Sequence, residues 1–290
     1  MDRRVLASNG RVAHTSLRGK VDADRFSDGQ SMRVCEQVTP LLSIAGATPQ
    51  RERELILHER FRVLETLDGL SFGFAERDGY VGFVRSKALG PVGATPTHVV
   101  AARQSYLVAS PRLKNSDDMT AISFGTELAV AGTHENGRWA EVTVLQNSIA
   151  ESTKYLPSAH LRPLDSPESD PVSVAERFIG TPYHWGGNSG FGIDCSGLVQ
   201  AACLACGVPC PGDSDMQEQA LGASLPADAP LQRGDLLFWK GHVAWVVDAN
   251  TILHANAFHM SVAYEGLQVA IARIARQGDG DITSRNRLAR

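Results

Sequence analysis

Cys195 opens an apolar run directly after a glycine-rich stretch, in which Thr181-Pro182-Tyr183-His184-Trp185-Gly186-Gly187 leads to Gly190-Phe191-Gly192-Ile193-Asp194-Cys195-Ser196-Gly197-Leu198-Val199. A helix beginning there has unpaired N–H groups in its first turn and the positive end of its dipole at the cysteine. A thiol so placed is expected to favour its thiolate, and the N–H groups beside it are ready to hold an oxyanion. Nucleophilic catalysis is the chemistry that these residue types suit.

Periodicity predicts the helix, because Leu198, Val199, Ala202, Cys203 and Cys206 recur at the spacing of one helical face. Gly207 supplies the stop, Pro209 confirms it, and Asp194 is the expected N-cap. A base must come from another element. The dense histidine region lies downstream, where Asp235-Leu236-Leu237-Phe238-Trp239, His242-Val243-Ala244-Trp245-Val246-Val247 and Thr251-Ile252-Leu253-His254 read as short strands separated by Lys-Gly and Asp-Ala-Asn turns. Cys195, His242 and His254 then supply a nucleophile, a base and a residue that orients the base. Strand parity constrains the pair: side chains alternate, so both rings share a face only if paired residue numbers sum to an even value. A plain two-residue turn at Ala249-Asn250 gives an odd sum, and the expectation is therefore an odd-length loop or a bulge.

Four runs in this order, Thr-Pro-Tyr-x-Trp-Gly-Gly, Asp-Cys-Ser-Gly-Leu-Val, Arg-Gly-Asp-Leu-Leu-Phe-Trp and Gly-His-Val, make the segment from about Pro171 to Leu267 resemble the NlpC-type family of papain-like cysteine peptidases. The resemblance implies catalytic Cys195, His242 and His254, with Tyr183 binding the oxyanion or positioning the substrate. Trp185 is expected partly in the core and partly toward the peptide. His184 and His259 are read as structural, and Cys203 and Cys206 as buried core thiols. A zinc site built on Cys195, Cys203, Cys206 and Cys210 is disfavoured, because no paired C-x₂-C knuckles recur. No metal and no cofactor are expected.

The 290 residues exceed one ordinary core and predict several domains. A net charge of −4 gives no nucleic-acid footprint. No secretory signal and no bilayer-length apolar run are read, and five cysteines of odd count read as reduced thiols, so the expectation is a cytoplasmic protein with no membrane partner. Asp165-Ser166-Pro167-Glu168-Ser169-Asp170-Pro171 reads as a linker and Gly90-Pro91-Val92-Gly93-Ala94-Thr95-Pro96 as a second boundary. Short strands flanked by glycine, such as Asp78-Gly79-Tyr80-Val81-Gly82-Phe83-Val84, resemble bacterial SH3-like domains. The expected class is α+β: an N-terminal extension over 1–32, SH3-like β-barrels over 33–92 and 97–164, and a papain-like, NlpC-type domain over 168–290.

That order resembles the γ-D-glutamyl-L-diamino acid endopeptidases, the dipeptidyl-peptidase VI group. The resemblance implies a murein tripeptide or tetrapeptide substrate with a free N-terminal L-Ala, cut at the γ-D-glutamyl bond to release L-Ala-γ-D-Glu for recycling. It implies an ammonium held by Glu59, Tyr80 and Asp194, and peptide contacts from Ser196 and Ser214. The matching motif usually has Gly before the Glu, where this chain has His58. The alternatives are a wall-lytic endopeptidase acting on intact peptidoglycan, or an amidase or acyltransferase on the same fold.

Overall fold

Alternating apolar residues build the first unit, Met1–Ser166, almost wholly from strands. The computed structural model describes residues 1–43, 49–114, 118–146, 150–278 and 280–288. A seven-stranded sheet runs in the spatial order Arg51–Ile56, Val38–Leu42, Val81–Arg85, Leu70–Ala75, Arg60–Leu67, Gln30–Val34 and Leu89–Pro91. Its central hairpin turns at Asp68-Gly69, whose φ values of 50° and 77° suit a tight turn matched to strand twist. Val34, Leu41, Leu55, Phe61, Tyr80 and Val84 close one core on this sheet. Within the segment expected as an extension, Val12 is buried with Leu64, Phe72 and Val81, and Gln30–Val34 is itself a strand of the sheet. A second core, with Val100, Leu107, Ile122, Leu128, Val142 and Leu156, is wrapped by three short sheets between His98 and Pro163.

The second unit, Pro167–Arg290, begins with α1 (Pro171–Glu176), capped by Asp170 with Pro171 in the first turn. Helix α2 (Cys195–Ala205) follows, then α3 (Ser214–Ala220). Gly207 ends the α2 segment at φ 73°, where the sequence placed the stop. A six-stranded sheet runs in the order Ala223–Ser224, Ser284–Arg287, Asp235–Trp239, His242–Asp248, Thr251–Asn256 and Ser261–Gly266. Helix α4 (Leu267–Gln277) lays Leu267, Ala270 and Ile274 on Leu237, Trp239, Ala244, Val246 and Ile252. Helix α2 packs against the His242–Asp248 and Thr251–Asn256 strands.

Those two strands fix the histidine geometry. Val246 pairs with Ile252 and Asp248 with Thr251, so Val247 is the extra residue of a bulge beside an Ala249-Asn250 turn. The paired numbers beyond the bulge sum to an even value, as sharing a face requires.

Candidate active site

Asp194 organises the loop that presents the thiol. One carboxylate oxygen accepts from the Gly197 N–H at 2.6 Å and the Ser196 hydroxyl at 2.9 Å, and the other accepts from the Gly186 N–H at 2.9 Å. The first turn of α2 is thereby clipped to the glycine loop. Glycine is required where the two meet: a Cβ at Gly197 would lie 2.5 Å from the Gly187 carbonyl oxygen. Gln217 of α3 braces the same turn, donating to the carbonyls of Ser196 and Pro211 at 2.9 Å each. No periodicity or motif in the sequence singles out Gln217.

Cys195 is 7% exposed, and its sulfur lies 4.0 Å from the Gly241 carbonyl oxygen, with the Val243 N–H also directed at it. The thiol therefore sits against the backbone on either side of His242. Burial, and then the Asp194 charge, push the thiol up to about 12 despite the N–H groups of Val243, Ser196 and Cys195. This direction runs against the expected preformed thiolate: desolvation disfavours the charged sulfur, and the cap that starts the helix carries a negative charge that offsets the dipole.

His242 Nε2 lies 2.8 Å from His254 Nδ1, so the rings share a face as the bulge dictates. His254 is fully buried, and its Nε2 lies 3.0 Å from Glu265 Oε2. Glu265 in turn takes both arms of Arg273, with contacts of 2.9 and 2.7 Å. Burial opposes ionisation of Glu265, but Arg273 and His254 together hold its carboxyl down to about 2. Burial, then His254 and Arg273, hold His242 down to about 3, and the ring is neutral near pH 7. Glu265 and Arg273 were not singled out from sequence.

Tyr183 is held by its N–H to the Met260 carbonyl at 2.9 Å and by a bridge to Ile193. Burial, then the Cys195 and Asp194 charges, push its phenol up, so it stays a donor. Trp185 is 62% exposed, which removes it from the core; the glycine loop turns it outward. Ser196 is buried with its hydroxyl committed to Asp194, and Ser214 is the buried first residue of α3. All five cysteines are thiols outside any disulfide, with Cys203 and Cys210 buried and Cys206 half-buried. His259 bonds Asn256 and lies near His254 and Glu265, the three offering ligand atoms within 4.8 Å of one another. Arg273 occupies both Glu265 oxygens with positive charge there, which opposes a metal cation.

In the first unit, Glu59 accepts from the Ile56 N–H at 3.1 Å and pairs with Arg77 at 3.3 Å. Burial pushes its carboxyl up while Arg77 opposes the shift. Tyr80 is 3% exposed, its ring under the Arg53 guanidinium at 5.6 Å. His58, standing where the family motif has Gly, takes φ 67°, the left-handed region that glycine enters freely.

A helix-borne thiol set against a strand-borne histidine chain is the papain-like layout. Residues 180–273 match the NlpC/P60 family, and residues 47–89 match the bacterial dipeptidyl-peptidase SH3 domain. The chain thus carries an NlpC/P60 domain and a bacterial dipeptidyl-peptidase SH3 domain. It is 31% identical to a dipeptidyl-peptidase 6 of Lysinibacillus sphaericus over 55% of this chain and 60% of that one. It is 29% identical to a gamma-D-glutamyl-L-lysine dipeptidyl-peptidase of Bacillus subtilis over 61% of this chain and 60% of that one. The matches thus span about three fifths of these curated relatives. A solved NlpC/P60 family protein from Bacillus cereus superposes with a TM-score of 0.72, covering 89% of this chain and 99% of that one, at 18% identity that shows the fold alone.

Proposed function

We propose that this protein is a cysteine endopeptidase that hydrolyses the γ-D-glutamyl-diamino acid bond of cell-wall peptides carrying a free N-terminal L-Ala, releasing L-Ala-γ-D-Glu. The observation that carries the hydrolytic part is the Cys195 sulfur lying against the backbone around His242, whose ring is bonded onward to His254. The names of the Lysinibacillus and Bacillus relatives support the bond and the product. A cytoplasmic setting belongs to the same reading; among the described residues no helix is long and apolar enough to cross a membrane.

Both partners start neutral, so the nucleophile forms as it attacks. His242 takes the Cys195 proton through Nδ1, the ring nitrogen not engaged by His254, while sulfur adds to the γ-glutamyl carbonyl. The Cys195 N–H at the helix start and the Tyr183 phenol hold the oxyanion. The imidazolium then protonates the departing amine, and the thioester forms as that C–N bond breaks. Water, deprotonated by His242, cleaves the thioester and restores the thiol. Asp194 is a proposed contact of the substrate ammonium. Glu59 and Tyr80 of the first unit are proposed substrate-binding residues.

The test is a comparison of L-Ala-γ-D-Glu-diamino acid with its N-acetylated form. Acetylation removes the charge that the carboxylates would meet, and a loss of ~10²-fold or more in kcat/KM is expected. Equal rates would contradict the free-amine requirement.

A further inference from the structure

Beyond the thiol and the two histidines lies a buried ion pair that the proposed mechanism does not use. We infer that Glu265, clamped by Arg273, is a positioning residue that sets which nitrogen of each imidazole carries its proton, leaving His242 Nδ1 bare for the thiol. The inference rests on the cysteine–histidine reading above and adds to it a fixed direction of hydrogen bonding.

The direction follows from donors and acceptors alone. An ionised carboxylate only accepts. The 3.0 Å contact therefore makes His254 Nε2 the donor to Glu265 Oε2. In the neutral ring His254 Nδ1 must then accept, so the 2.8 Å contact makes His242 Nε2 the donor. His242 Nδ1 is left with its lone pair. Reversing the chain would put a proton on that nitrogen and leave no base for Cys195. Arg273 keeps the carboxylate ionised and fixed by gripping both oxygens, and is itself held by Gln277 at 2.7 Å and by the Phe258 ring 4.6 Å away. The strand register makes the assembly possible. Ile252 pairs with Glu265, which puts Glu265 on the sheet face that carries His254, the face that α4 covers.

Glu265→Leu is the diagnostic change, because it removes the carboxylate that accepts from His254 Nε2 and leaves the Arg273 guanidinium, which can only donate, beside that nitrogen. His254 then accepts at Nε2 and donates from Nδ1, and His242 accepts at Nε2 and carries its proton on Nδ1. The charged and titratable groups acting on His254 are His242, Glu265, Arg273 and His259, and those acting on His242 are His254, Arg273 and Glu265, with the Cys195 thiol of α2 against the backbone on either side of it.

The experiment records the ¹⁵N and ¹H resonances of the imidazole rings in the full-length protein, with turnover measured alongside. The wild type is expected to carry both protons on Nε2, and Glu265→Leu both on Nδ1. A fall in kcat on the order of 10²- to 10⁴-fold with KM little changed should accompany the reversal, as for a wrong tautomer in a triad. A second variant, Arg273→Met, keeps the carboxylate, so both protons should stay on Nε2 while loss of the cation moves the imidazole titrations upward in pH. Nδ1 protons in the wild type, unchanged tautomers in Glu265→Leu, or reversal without loss of kcat overturns the inference, as does a downward titration shift in Arg273→Met. The tautomer readout needs no substrate, so a failure of the proposed peptide chemistry is distinguishable from a failure of this inference.

Discussion

At the scale of single residues, the site stores its reactivity in neutral groups. With the Cys195 thiol pushed up to about 12, the thiolate is scarce near neutrality in the free protein. Alkylation of Cys195 by iodoacetamide should therefore be slow at pH 7 and rise about tenfold per pH unit through pH 9. A plateau below pH 8, read by mass of the Cys195 peptide, would show a thiolate already formed. Cys195→Ala should abolish turnover without unfolding, whereas Cys203→Ala should leave turnover near normal and cost about 1 kcal/mol or more through the cavity left in the core. Long, ordered motifs singled out Cys195 and His242, and the structure sets that thiol against the backbone on either side of His242. The charge state of the thiol was not legible: periodicity shows where a helix starts, while desolvation and the charge of the capping carboxylate emerge only when three dimensions are known.

Elements convert that chemistry into geometry. The parity argument could be made from sequence because strand alternation is strict, and the bulge at Val247 supplies the residue it demands. Glu265 and Arg273 escaped because each belongs to a pairing that no local pattern reveals. Glu265 meets the histidine face only through the register of a further hairpin, in which Asn256 pairs with Ser261, and Arg273 only through the docking of α4. In the sequence each looks like an ordinary solvated charge. The glycine loop gives a sharper test. Gly197→Ala puts a methyl 2.5 Å from the Gly187 carbonyl oxygen and 3.2 Å from Asp194 Oδ1. Urea denaturation should show a loss of ~1–3 kcal/mol, with kcat reduced as the Cys195 turn is displaced. Wild-type stability together with wild-type kcat would mean that the close approach does not position the thiol.

For the whole molecule, the buried titratable chain predicts acid sensitivity. His242 is held down to about 3 from an ordinary 6.5, so between those values the unfolded chain binds a proton that the native ring refuses, and stability falls as pH drops. Glu265 is held down to about 2 from 4.5, and its contribution, full above 4.5, is lost as pH falls toward 2. The two act in the same direction in overlapping windows. Chemical denaturation from pH 7 to 3 should show stability declining below about 6.5 and more steeply below about 4.5; a flat profile would contradict buried neutral rings. The division between Ser166 and Pro167 falls inside the segment read from its composition as a linker. The burial of Val12 against Leu64 and Phe72 was not legible, because its stretch is charged and only weakly periodic.

The central claim, that Cys195 cuts the γ-D-glutamyl bond, is tested most directly by incubating the protein and its Cys195→Ala variant with L-Ala-γ-D-Glu-diamino acid and weighing the products. Our account predicts L-Ala-γ-D-Glu and free diamino acid from the wild type and intact tripeptide from the variant. Cleavage at another bond, an uncut tripeptide with the wild type, or equal cleavage by Cys195→Ala would contradict it.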